Sequence, residues 1–218
     1  MITLAIDTST PHGSIALLAD ETLLIEEHFV GDRSHSASLF VALEKARALT
    51  DRVDAIAVGL GPGSYAGVRI AIAAAMGLRL AFGARLVGIP SVAALDTAVA
   101  TSDGATWPTQ YIAIGDARRE SFYFSRIENG SCVEGPLLAT EAELRDRLNA
   151  VSLPIYATEP VAQFPQAQIA LPSAVKLALL ASTTTGIIAT DNLEPIYLRE
   201  PHITQPKARP SFLPPAQL

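Results

Sequence analysis

Asp54-Ala55-Ile56-Ala57-Val58-Gly59-Leu60-Gly61-Pro62-Gly63-Ser64-Tyr65-Ala66-Gly67-Val68-Arg69, continuing to Phe82, reads as an apolar strand, a glycine turn and a long helix. Gly61 and Gly63 can take a positive φ without a Cβ clash and Pro62 fixes its own φ, so the chain reverses within a few residues. Ser64 stands where a side-chain oxygen caps the first turn of the helix, whose remaining free NH groups and dipole favour an anion. Two specific ligand patterns fail on spacing. A Walker A loop needs Lys and a hydroxyl residue after its last glycine, and here Val68 and Arg69 follow Gly67. Glycines at 59, 61, 63 and 67 do not make G-x-G-x-x-G, and no ribose-binding acid is evident on a following strand. A tight strand-to-helix connection that binds nothing stays open beside an anion site.

The helix from Tyr65 to Phe82 is rich in alanine and glycine, and Ala66, Ile70, Ala73 and Gly77 fall on one stripe. An interior glycine costs a helix about 1 kcal/mol relative to alanine, so a stripe this flat is best explained by a surface packed closely on it. That surface is either the protein's own sheet or another chain. A preceding amphipathic helix, Ser34 to Leu49, puts Leu39, Phe40, Leu43 and Ala46 on its apolar side.

Outward from this stretch, Ile2 to Ile6 is a short strand ending at Asp7, followed by a turn-rich Thr8-Ser9-Thr10-Pro11-His12-Gly13 and two further strands, Ser14 to Leu18 and Thr22 to Val30. Arg85 to Ile89 is a strand, and Ser91 opens a helix expected to run to about Ala100. A break near Thr101 to Pro108 precedes a second half with the same grammar. Tyr111 to Gly115 is a strand ending at Asp116, Ser121 to Ile127 the next, Asn129-Gly130 a hairpin turn, and Thr140 with Glu143 a capping box. Pro154 to Ala157 and Ser173 to Ser182 supply a last strand and helix, and six prolines follow from Pro195 on. A duplicated unit of meandering strands, then helices alternating with strands, is an α/β arrangement with mixed sheets. It predicts lobes over residues 1–104 and 105–200 and a proline-rich tail over 201–218. The two first-hairpin turns would face each other across a cleft. There Asp7, Thr8, Ser9 and Asp116 are candidates to hold a metal-bound phosphate, although Asp7 can equally spend its carboxylate on an Asx-type turn.

With 218 residues, half of them apolar, the chain can bury a sizeable core. A formal charge of -6 and the lack of a basic run argue against unaided binding of a polyanion, whose affinity comes largely from phosphate neutralisation. Cys132 is the only cysteine, which rules out an internal disulfide and a cysteine-based zinc site. The N-terminus has no basic segment and reaches Asp7 at once, and apolar runs are broken by charges and turn residues, so a cytoplasmic location and no membrane association are expected.

Ala5-Ile6-Asp7-Thr8-Ser9, Ser34-His35-Ser36, the segment Gly59 to Ile70, Asp116-Ala117-Arg118 and Pro195-Ile196-Tyr197-Leu198-Arg199 together resemble the TsaB (YeaZ) family, with Ala66 where Thr is usual. The family sits within the actin, hexokinase and Hsp70 superfamily of duplicated ribonuclease-H-like lobes. The resemblance implies a part in placing threonylcarbamoyl on N6 of adenosine 37 in tRNAs that read codons beginning with A. It further implies a TsaD-like catalytic paralogue as partner, a TsaE-like ATPase in the assembled complex, a homodimer in the partner's absence, and tRNA contact only through the complex. The catalytic paralogue holds a metal with a His-x-x-x-His pair. An approximate alignment puts Ala93 and Thr97 at those positions, and neither can replace imidazole. The expected role is therefore a non-catalytic subunit with no metal and no tightly bound cofactor, with ATP or ADP and Mg held weakly at most. Its partner would contact Leu39, Leu43, Ala66, Ile70, Ala73 and Gly77. The alternative is an independent ATP-dependent carbamoyl- or phosphoryl-transferase with Asp7 and Asp116 around magnesium. A peptidase reading finds no H-E-x-x-H motif and no nucleophile with a placed base.

Overall fold

The computed structural model describes residues 1–31, 35–97, 99–101, 104–106, 108–183 and 192–199. The first sheet is built from β1 (Ile2–Asp7), β2 (His12–Ala19), β3 (Thr22–Val30), β4 (Ala55–Gly59) and β5 (Arg85–Ile89), in the order β3-β2-β1-β4-β5. The three meander strands pair antiparallel and the last two join in parallel. Residues alternate between faces along each strand, which separates two apolar sets. Leu4, Ile6, Ile15, Leu17, Ile56 and Val58 meet α1 (His35–Arg47) and α2 (Tyr65–Phe82), whereas Ala5, Ala16, Leu18 and Ala57 belong to a second core on the other face.

A small hairpin, β6 (Val99–Thr101) and β7 (Gly104–Thr106), leads to the second sheet. That sheet comprises β8 (Gln110–Asp116), β9 (Phe122–Glu128), β10 (Ser131–Ala139), β11 (Ile155–Ala157) and β12 (Gln168–Ile169) in the order β10-β9-β8-β11-β12. Its pairing senses repeat those of the first sheet. The duplicated ribonuclease-H-like arrangement is thus the observed fold. Asn129 and Gly130 both take left-handed φ values, 49° and 74°, as a tight hairpin turn requires. α3 (Glu141–Asn149) opens on the expected capping box, with Thr140 accepting from the Glu143 NH and Glu143 from the Thr140 NH.

One element departs from expectation. The helix predicted from Ser91 to Ala100 is a single 3-10 turn, Ser91–Ala94, after which Leu95 is extended and bridges to Pro172. Ser91 does not cap it. Its hydroxyl turns instead toward Asp7 and Gly61. The place of a helix on that face of the first sheet is taken by α4 (Ala174–Thr183), from the end of the chain. The segment around Pro195 packs between the sheets, and the proline-rich residues 201–218 lie outside the described residues.

Candidate functional site

The glycine turn is filled by the protein's own first hairpin. The Ser64 NH donates to the Ser9 carbonyl at 2.6 Å, and Thr8 Oγ1 donates to the Gly67 carbonyl at 2.7 Å. A Cβ on Gly63 would collide with the Ser9 carbonyl oxygen, and one on Gly67 with that of Thr8, so these glycines serve close backbone approach. Ser64 caps α2 as expected, its Oγ accepting from the Gly67 NH at 3.2 Å. Two NH groups at this end, those of Ser64 and Gly67, are therefore engaged by Ser9 and Ser64.

Asp7 and Thr8 are sealed at 1% and 0% exposure and do not reach the cleft, which corrects their assignment to a phosphate site. Asp7 Oδ1 accepts from the Ser9 NH at 2.8 Å and from Ser9 Oγ at 2.7 Å, while Oδ2 accepts from Ser91 Oγ at 2.6 Å. This is the Asx-type turn, extended by Ser91, which also accepts from the Gly61 NH at 3.0 Å. Burial pushes the Asp7 carboxyl above its ordinary value, against the opposing pull of the Ser91 and Ser9 hydrogen bonds.

Ser9 and Asp116 do share a cleft. It lies between the lobes, measures about 590 Å³, and is walled by the glycine turn, both first-hairpin turns, Thr158 and Glu159, and Pro195 to Arg199. Asp116 ends β8 and accepts from the Arg118 NH at 2.6 Å and from its guanidinium at 3.2 Å. That pairing holds a turn in which Arg118, Arg119 and Glu120 take successive left-handed φ values of 64°, 55° and 58°, each costing about 1 kcal/mol or more. The Pro195 segment spans the cleft: the Ile196 NH donates to the Leu60 carbonyl at 2.9 Å, and Arg199 donates to the Arg118 carbonyl at 3.3 Å. Tyr197 rests on Tyr65 with ring centroids 5.4 Å apart, and Arg69 lies over the Tyr65 ring while donating to its hydroxyl at 2.8 Å. Among the described residues no three His, Cys, Asp or Glu side chains form a metal-holding group, and Ala93 and Thr97 are both buried.

The small-residue stripe faces away from the sheet. α2 turns Gly67, Val68, Ala71, Ile72 and Ala75 inward, and leaves Ala66, Ala73 and Gly77 exposed with Ile70 at the margin. Gly77 has nothing within 4 Å of its Cβ direction. Leu80, 85% exposed, lies on the same face two turns beyond Ala73. Eighteen residues at mean hydropathy 1.4 make α2 long and apolar enough to cross a bilayer by length and composition, contrary to the expectation that every run is broken. Its inward face packs on β4 and β1. Leu39 and Leu43 are corrected as contacts for another chain. They are 0% and 7% exposed inside the first lobe's core, and α1 shows Phe40 and Val41 to solvent instead.

Ser91, Tyr65, Tyr197 and Arg199 escape sequence reasoning as site residues. Ser91 was legible as a small polar residue after a strand, but only the fold brings it to Asp7. The Pro195 to Arg199 motif carried a signal without a place.

The family model described as "TsaD: tRNA N6-adenosine threonylcarbamoyltransferase" matches residues 31–182. The tRNA threonylcarbamoyladenosine biosynthesis protein TsaB of Escherichia coli is 35% identical over 58% of this chain and 56% of its own length. Its namesake in Haemophilus influenzae is 36% identical over 57% and 52%. The chain thus spans little more than half the length of these curated relatives. YeaZ of Pseudomonas aeruginosa superposes with a TM-score of 0.67 at 25% identity, over 90% of this chain and 99% of that one. A second P. aeruginosa structure, described as similar to peptidase YEAZ, gives 0.70 at 24% identity over 91% and 99%, a likeness of fold.

Proposed function

This chain belongs to the TsaD family, in its TsaB (YeaZ) group, and on that premise we propose that it is a non-catalytic docking subunit of the machinery that places threonylcarbamoyl on N6 of adenosine 37 in tRNA. It binds a TsaD-like catalytic paralogue through the outward face of α2, pairs with a second copy of itself when that partner is absent, and meets a TsaE-like ATPase and tRNA only within the complex, in the cytoplasm. The observation that carries this reading is the outward stripe of exposed Ala66, Ala73 and Gly77, with half-buried Ile70 at its margin, on one face with Leu80. A flat apolar helix face invites close packing by another helix, and desolvating Leu80 and its neighbours drives it. Supporting it from the other side, Asp7 is occupied in a buried turn and Asp116 is paired with Arg118, which leaves the independent-transferase alternative without a free carboxylate pair.

The test is association. Ala73→Arg and Gly77→Leu change only outward positions, so both variants should fold with wild-type melting temperature and fail to co-elute with the paralogue. Co-elution at wild-type affinity would remove α2 from the interface. For nucleotide, calorimetry of the chain alone with Mg-ATP should show binding weaker than about 10 µM, or about -7 kcal/mol. Tighter binding would favour the independent transferase.

A further inference from the structure

α4 follows β12 of the second sheet in sequence, yet it packs on the first. It lies across β1, β2 and β4 and against the Ser91–Ala94 turn, on the face opposite α1 and α2. The register explains the fit. Ala5 pairs with Ala16 on one side and with Ala57 on the other, so a row of three alanines crosses adjacent strands at one level. Ala174, Ala178 and Ala181, spaced i, i+4 and i+7, join the same core, and small residues on both sides allow close approach.

Polar contacts fix the helix at both ends. The Ala174 NH donates to Ser14 Oγ at 3.2 Å and the Ser173 NH to the Ala94 carbonyl at 2.9 Å. Lys176 Nζ donates to the Leu95 carbonyl at 2.9 Å, and Arg85 donates to the Ala181 carbonyl at 3.1 Å. Tyr111, Ala113, Ile127 and Tyr156 of the second sheet complete this core, and Tyr111 donates its hydroxyl to the Val92 carbonyl at 2.8 Å. The chain passes between the lobes near Leu95 and near Pro172, and these two points are themselves bridged.

We infer that α4 is a cross-brace that joins the two lobes into one rigid body, so that the cleft keeps a fixed width and does not open and close about a hinge. Closure would have to repack the shared alanine-rich core, and close-packed interiors are bistable at best, not continuously deformable. The segment Leu193 to Arg199 ties the front of the cleft in the same sense, with Leu193 seated in the first lobe's core and Arg199 on the Arg118 carbonyl.

The experiment places spin labels on the full chain at His12→Cys and Arg119→Cys, exposed positions on opposite rims of the cleft, in a Cys132→Ser background. Pulsed electron resonance should give one narrow distance distribution that moves by less than about 2 Å on adding Mg-ATP. A second population, or a larger shift, overturns the inference. The paired variant Arg85→Ala with Lys176→Ala removes pins at the seam without entering the apolar core. It should speed hydrogen exchange in α4 and broaden the distance distribution together. Faster exchange with an unchanged narrow distribution would show that α4 does not set the spacing.

Discussion

Gly67 shows how much a single position decides. Its missing side chain admits the Thr8 carbonyl, so Gly67→Ala should destabilise the fold by about 2–4 kcal/mol, read from urea midpoints, through displacement of the first hairpin. Asp7 makes the opposite case. Its carboxyl has a folded pKa above the ordinary 3.8, so its contribution to stability is fully present below pH 3.8 and is lost as pH rises through the folded value. Asp7→Asn keeps the acceptor for Ser9 and removes the buried charge, so at pH 7 it should cost less than about 1 kcal/mol or stabilise. A carboxylate needed for a ligand would instead show as lost binding with unchanged stability. Lys176 is held down to about 8 by burial, with Asp96 opposing. Folding then favours its neutral form, and stability should rise as pH climbs from about 8 toward 10.5. Lys176→Met loses the bond to the Leu95 carbonyl together with the buried charge, so its cost in melting temperature should be larger at pH 10.5 than at pH 7.

At the scale of elements, α2 carries both the folding and the functional argument on different faces. Its inward Val68 and Ile72 each stabilise by about 1.5–3 kcal/mol on burial, while Leu80, 85% exposed, buries little in the lone chain. Leu80→Asp should therefore leave the melting temperature within about 0.5 kcal/mol equivalent of wild type and reduce self-association in sedimentation. α3 is stable for local reasons: Thr140→Ala removes the capping box and should cost about 1 kcal/mol. The Ser91–Ala94 turn failed as a helix because the Ser91 hydroxyl, read as a cap, is claimed by Asp7 and Gly61 far away in sequence. A capping preference is local, and a distant buried carboxylate outweighs it.

For the whole molecule, a shared core predicts shared unfolding. Ala16→Leu overfills the alanine row and should cost about 1–3 kcal/mol while both sheets still unfold in one transition, seen by coincident loss of amide protection in β2 and β8. Much of the architecture was legible beforehand, because strand alternation, the Asn129-Gly130 turn, the Thr140 box and the glycine turn are local signals set by backbone geometry. The duplicated strand order and the outward or inward alternatives for the α2 stripe could be written from the residues alone. Periodicity gives a helix its faces but cannot say which of them meets the sheet. Leu39 and Leu43 went inward and the Ala73 stripe outward because the sheet and the neighbouring helix cover one face of each helix and leave the other open. The cleft shows the same division. An aspartate at each strand end was visible in the sequence, yet only the packed hairpin buries Asp7 and leaves Asp116 at the surface. By itself the sequence determined which segments are strands, turns and helices, through φ preferences and the spacing of apolar residues. Only tertiary structure decided that the last helix crosses to the first sheet and that the glycine turn is plugged from within, because both depend on contacts between residues far apart along the chain.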